Sequence, residues 1–252
     1  PQDIISGLGW GLGYFGMPHI IIRFMSLKSE KELRKSSVIG ISWTTIILIM
    51  SALTAIAGRL YLGEIEDSST VFITMVRRIF PALVSGLLLS AILSAAMSTA
   101  DSQLLAASSA FASDVYKPVI RKKASDSEML WAGRIVVIVI ALVALMIASD
   151  PNSGSIMGLV ENAWGVFGAS FGPVILLSLF WKRLTFGGTV AGIAAGAAVD
   201  ILWLVFLSST DIYEIVPGFA AGLLAAVVVS LCSKGPGKDV EALFDRAVDL
   251  KS

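Results

Sequence analysis

Five residues in one apolar run have side chains that could do chemistry. Ser94, Ser98, Asp101 and Ser102 recur at helical spacing, with Thr99 beside them, between Pro81 and Phe111. They offer only oxygen ligands, a donor set that suits a hard cation such as sodium. A carboxylate at bilayer depth costs at least about 2.5 kcal/mol unless it faces water, a partner or an ion. The local alternative is that each hydroxyl donates back to the carbonyl four residues earlier, as often happens in membrane helices. Asp101 on the stripe favours a cation-facing row, and the local account stays open beside it. A second constellation lies near the start of the chain. Gly7, Gly9, Gly11, Gly13 and Gly16 precede Pro18, with Trp10 and Tyr14 one turn apart among them. Such a run cannot hold a regular helix without cost. A broken helix survives in a bilayer only where it packs in protein or lines a watery cavity. There its free N–H groups and end dipoles meet a carboxylate, and unwound carbonyls meet a cation. The two rings would wall a small pocket. Close helix packing through small residues is the competing account.

The elements that must position these residues are membrane helices. Of 252 residues 56% are hydrophobic, the mean hydropathy is +0.82, and the apolar residues fall in blocks of about 20, the length of a crossing. The blocks predict seven spans, over about 4–25, 37–60, 82–116, 129–148, 156–181, 186–207 and 215–232. Sixteen of the nineteen Lys and Arg residues fall on alternate sides of these spans, after the first, third, fifth and seventh. Basic residues mark the cytoplasmic face, so residue 1 is expected outside and the C-terminus inside a cell membrane.

Acidic and basic residues balance, so net charge points to no nucleic acid or other charged partner. One cysteine, Cys232, forms no intrachain disulfide and is read as a small packing residue; His19 is read as a local hydrogen-bonding group. No nucleophile or metal constellation speaks for an enzyme. The start at Pro1, without Met or a signal peptide, is read as the C-terminal part of a longer protein.

Smaller features fill in the frame. Val71, Phe72, Met75, Val76, Ile79 and Phe80 recur at helical spacing opposite Arg77 and Arg78, predicting an amphipathic outer helix. It either caps an access path or lies on lipid. The tail from Lys238 to Leu250 repeats the pattern. In the fifth span Gly165–Ala169 and Gly168–Gly172 are small-xxx-small pairs that predict tight packing. Trp164 there is either a cavity wall or an interfacial anchor. Gly187, Gly188, Gly192 and Gly196 predict the same packing in the sixth span, where Asp200 sits deep enough to need a partner.

Two stretches carry a resemblance. Gly9-Trp10-Gly11-Leu12-Gly13-Tyr14-Phe15-Gly16-Met17-Pro18-His19, with Arg23-Phe24-Met25, resembles the substrate-helix signature of the sodium/solute symporter family, in its proline-transporting form. Residues 93–105, LSAAMSTADSQLL, resemble the same family's sodium helix. Ala163-Trp164-Gly165, Phe171-Gly172-Pro173 and Trp181-Lys182-Arg183 fit as well.

The resemblance implies an all-α leucine-transporter-like fold of two inverted five-helix repeats, present here in part. The first, third and fifth spans would be the sixth, eighth and tenth core helices. It implies a division into transporter core (1–181), two added helices (182–233) and a cytoplasmic tail (234–252). It implies sodium on the Ala95 carbonyl and the Ser98 and Thr99 hydroxyls, and proline at Trp10, Tyr14 and Pro18. Asp101 and Ser102 would take a second cation or a structural role. The implied activity is sodium-coupled uptake of L-proline by alternating access, with no cofactor beyond the coupling ion. The implied partners are the bilayer and the missing N-terminal half, without which neither site is complete. Another small solute of the family, a carboxylate, pantothenate or a sugar, is the alternative; a channel or a sensor ranks lower.

Overall fold

The computed structural model describes residues 2–65, 67–150 and 153–249. Among them every regular element is helical, and six helices are long and apolar enough to cross a membrane. This is an all-α, multi-pass membrane protein. The chain forms two compact units, Pro1–Arg23 with Val143–Ser252, and Phe24–Leu142.

In the first unit the expected first span is broken. Helix α1 (Gln2–Gly13) ends in a turn over Tyr14–Gly16, and α2 (Pro18–Met25) restarts at the proline. Proline suits that first position because its missing N–H would find no helical partner there. The core of the unit is α7 (Ile156–Phe180), α8 (Phe186–Phe206) and α9 (Ile215–Cys232). Their contact faces are glycine. A Cβ built on Gly192 would lie 2.8 Å from the side chains of both Ala226 and Val174, and one on Gly218 would lie 2.8 Å from Ala169.

Pro173 sits inside α7, where it takes the backbone donor from the Ala169 carbonyl. Gly196 and Gly222 pack directly on that carbonyl, so glycine backbone covers the freed oxygen. The small-xxx-small reading of α7 is borne out here: Gly165, Gly168, Ala169 and Gly172 are all buried. At the other end Thr185 caps α8, accepting from the Gly188 N–H at 3.1 Å, while the Thr185 N–H donates to Ser230 Oγ at 3.1 Å. The tail helix α10 (Lys238–Asp249) is tied back by Lys182 Nζ donating to Asp245 at 2.6 Å, which raises the ammonium pKa. Leu250 and Lys251 lie outside the described residues. Cys232 corrects an expectation: it ends α9 and is exposed rather than packed between the helices of this chain.

The second unit holds α3 (Glu30–Leu62), α4 (Val71–Ile79), α5 (Ala82–Ala110) and α6 (Asp126–Ser149) as far as Leu142. Helix α3 stops at Gly63, whose φ of 73° suits a residue without Cβ. The predicted amphipathic helix exists as α4. Its Val71 and Met75 side chains close on Gly58 of α3, and Val76 is 2% exposed. Ser85 Oγ donates to the Val76 and Phe80 carbonyls at 3.0 and 3.1 Å, which satisfies the C-terminus of α4. This face of α4 therefore packs on protein. Helix α5 runs on as a wider π-helix over Phe111–Ile120. Tyr116 in that turn donates to Glu128 at 2.8 Å, and Arg121 pairs with the same carboxylate at 2.9 Å.

Candidate functional site

The break between α1 and α2 is held from the α7 side. Trp164 Nε1 donates to the Trp10 carbonyl, in the last turn of α1, at 3.0 Å. The Trp10 ring lies 6.0 Å from Trp164 and 5.7 Å from Tyr213, and Tyr14 meets Trp164 edge-on at 4.9 Å. Trp10 is half-buried, whereas Tyr14, at 53%, and Pro18 are exposed. Of the three residues assigned to the substrate, two thus share one tryptophan and the third opens α2. Trp164 packs inward on the break. It is the post around which the break is built.

The five glycines divide by role. Gly9, Gly13 and Gly16 are buried contact points: a Cβ on Gly13 would collide with the Trp164 indole, and one on Gly16 with the Phe167 carbonyl. One built on Gly168 would come within 2.7 Å of the Gly13 Cα, so α1 and α7 touch backbone to backbone. Gly7 and Gly11 face open space. The packing account therefore holds for Gly9, Gly13 and Gly16.

On α5 the hydroxyls follow the local account. Ser94 donates to Ser90 O at 2.9 Å, Thr99 to Ala95 O at 3.3 Å and Ser102 to Ser98 O at 2.9 Å. Donating its proton leaves a hydroxyl oxygen with lone pairs for a cation. Ala95, Ser98, Thr99 and Asp101 are exposed and Ser102 is half-buried. This row belongs to the second unit and the broken helix to the first.

Around Asp200 lie residues that the sequence did not single out. Tyr213 is 4% exposed; its N–H donates to Ser6 Oγ at 3.1 Å and its hydroxyl to the Glu161 carbonyl at 2.8 Å. Those two bonds stitch α1 and α7 to the segment before α9. Glu214 follows it, 8% exposed, and faces Asp200 across Gly165. Burial pushes the Glu214 carboxyl above the ordinary range; a backbone hydrogen bond opposes this and Glu161 adds to it. No periodicity marks Tyr213 or Glu214, because they lie in a connection.

A short broken helix packed on a glycine-faced helix is an element from which secondary transporters build their sites. The model of the sodium:solute symporter family matches residues 1–196, and the chain belongs to that family. Among curated relatives it is similar to the "High-affinity proline transporter PutP" of Bacillus subtilis (strain 168), 44% identical over 99% of this chain and 53% of that protein. The "Osmoregulated proline transporter OpuE" of the same organism is 44% identical over 96% of the chain and 50% of its own length. A "Sodium/proline symporter" of Staphylococcus aureus is 42% identical over 98% and 51%. The chain spans about half the length of the curated relatives it matches.

Proposed function

We propose that this chain is the C-terminal half of a sodium-coupled L-proline symporter of the cell membrane, working by alternating access. The observation that carries this reading is the interruption at Tyr14–Met17, with Trp10 and Tyr14 gathered at its edge on Trp164. Free backbone groups at such a break suit the carboxylate of an amino acid, and flat rings suit a pyrrolidine. Trp10, Tyr14 and Pro18 are assigned to the substrate. The Ala95 carbonyl and the Ser98 and Thr99 hydroxyls are assigned to sodium, and Asp101 and Ser102 to a second cation or to support of the first. The names of the relatives favour proline within the family.

The fold is read as the second part of a leucine-transporter-like pair of inverted repeats, with core (1–181), two added helices (182–233) and a tail (234–252). The distribution of basic residues supports a cytoplasmic C-terminus. The N-terminal half supplies the remaining ligands, so the fragment by itself neither binds nor transports. In the cycle sodium binds first and shifts the population toward the proline-binding state. The membrane potential then contributes about 2.3 kcal/mol per charge for each 100 mV.

The test is uptake of radiolabelled proline by the full-length protein, with and without external sodium. Saturable uptake that collapses without sodium, and is not competed by pantothenate, acetate or sugars, is expected. Uptake indifferent to sodium, or selective for one of those competitors, overturns the reading.

A further inference from the structure

The Trp10 ring is gripped on two sides, and only one grip comes from α7. Trp164 holds both the ring, at 6.0 Å, and the Trp10 carbonyl. Tyr213 meets the ring alone, 5.7 Å away and tilted by 36°. That second contact comes from a side chain with little freedom of its own. Tyr213 is 4% exposed and tied at both ends, its N–H to Ser6 Oγ at 3.1 Å and its hydroxyl to the Glu161 carbonyl at 2.8 Å. A buried phenol fixed in this way is held in one rotamer.

Both partners are shaped for the meeting. In the connection between α8 and α9, Asp211 has a φ of 54°, a left-handed conformation that a short polar side chain tolerates. Past that turn Trp203 Nε1 donates to the Ile212 carbonyl at 3.2 Å, which fixes the backbone just before Tyr213. On the other side Ser6, Gly9 and Trp10 share one face of α1. Ser6 Oγ donates to the Asp211 carbonyl at 3.4 Å while accepting from Tyr213. Gly9 has no side chain to hold the connection off: a Cβ there would lie 2.9 Å from Val216, 3.1 Å from Ile215 and 3.4 Å from Tyr213.

We propose that Tyr213 is a positioning residue for the substrate pocket: it sets the direction of the Trp10 ring and, through that ring, the affinity for the transported amino acid. An indole with a neighbour on one side keeps more than one staggered rotamer, and a second ring on the other side selects one. A wall already in place costs less to order when the solute arrives. The inference rests on the assignment of Trp10 to the substrate. It gives the connection between α8 and α9, which the division above puts outside the transporter core, a part in substrate recognition.

The test is the initial rate of radiolabelled proline uptake by the full-length protein in proteoliposomes. Tyr213→Met, which keeps apolar volume but has no ring, is expected to raise KM roughly three- to tenfold, as the loss of one aromatic pair would. The maximal rate per folded transporter should stay within about twofold. Tyr213→Phe restores the ring and should bring KM back to within about twofold of wild type. In a Trp10→Ala background Tyr213→Met should change KM no further, because the two residues act through one contact. Hydrogen exchange without solute should quicken over α1 in Tyr213→Met. A wild-type KM in Tyr213→Met overturns the proposal, as does a loss of rate or of folded protein with KM unchanged. Effects of Trp10→Ala and Tyr213→Met that simply multiply overturn it too. Where Tyr213→Met fails to fold, Ser6→Ala decides: it unties the Tyr213 N–H and should raise KM about two- to fivefold, and a wild-type KM overturns the proposal. Failure of the proline reading shows separately, as uptake of another solute, and the same comparison run with that solute then decides the role of Tyr213.

Discussion

The glycine-faced group α7–α8–α9 with α1, and the hydroxyl-bearing α5, are two ways of using small residues in a membrane helix. In the first, the small residue is an absence that lets backbones touch: Gly168 against Gly13, and Gly196 against the Ala169 carbonyl. In the second, the small residue carries an oxygen and turns it onto its own helix, as Ser94, Thr99 and Ser102 do. Packing faces tolerate almost no change of volume. A hydroxyl row tolerates changes of shape and is sensitive to the loss of one atom type. Composition alone does not separate the two, since both read as small and apolar-flanked.

The largest effect is expected from Gly13→Val. Its side chain would collide with the Trp164 indole in a region where backbone lies against backbone. Overpacking typically costs about 1–3 kcal/mol, and more where nothing can give. The variant should give little folded protein by fluorescence-detected size exclusion. Gly11→Ala, which meets nothing within 4 Å, should express and melt as wild type. Equal behaviour of the two would erase the distinction between packing and open glycines.

Next comes Thr99→Val, which preserves shape and deletes an oxygen. Apparent sodium affinity in the full-length transporter should fall by about tenfold or more with protein level unchanged. Ser94→Ala, which removes only a back-bonded hydroxyl outside the assigned ligands, should leave affinity within about twofold. An unaltered sodium dependence in Thr99→Val would remove it as a ligand.

The smallest and most informative contrast lies within the aromatic cluster. Trp10 touches Trp164 and Tyr213 and is half-buried, whereas among the described rings Tyr14 meets Trp164 and is exposed. Both Trp10→Ala and Tyr14→Ala should raise the KM for proline. Only Trp10→Ala should also lower the melting temperature, by a few degrees, since truncating a large ring in a packed cluster costs up to about 3–5 kcal/mol. Unchanged uptake kinetics in both would remove the pocket assignment.

Much of this was legible in the sequence because apolar length and glycine spacing are one-dimensional signals. The seventh span, 215–232, coincides with α9, and the Gly7–Pro18 run marks the break. Asp200 was legible as a buried acid, but its neighbour was not. Glu214 reaches it only because a connection folds back over α7, and no period in the sequence encodes that. Trp164 was ambiguous for a related reason. An indole near a span end anchors at the lipid surface or packs inward, and only the Trp10 carbonyl 3.0 Å away decides. Cys232 was misread because its place at the last turn of α9 leaves it uncovered.

The turn at Tyr14–Gly16 follows a limb that is fastened to its neighbours. Ser6, Gly9, Trp10 and Gly13 fasten the upstream limb to its neighbours, and Gly16 clamps the joint itself to the Phe167 carbonyl. Each of these fastenings lies before Pro18. A joint so mounted has its fulcrum fixed and its upstream arm bolted down, so a swing of that arm against α7 would have to break these contacts.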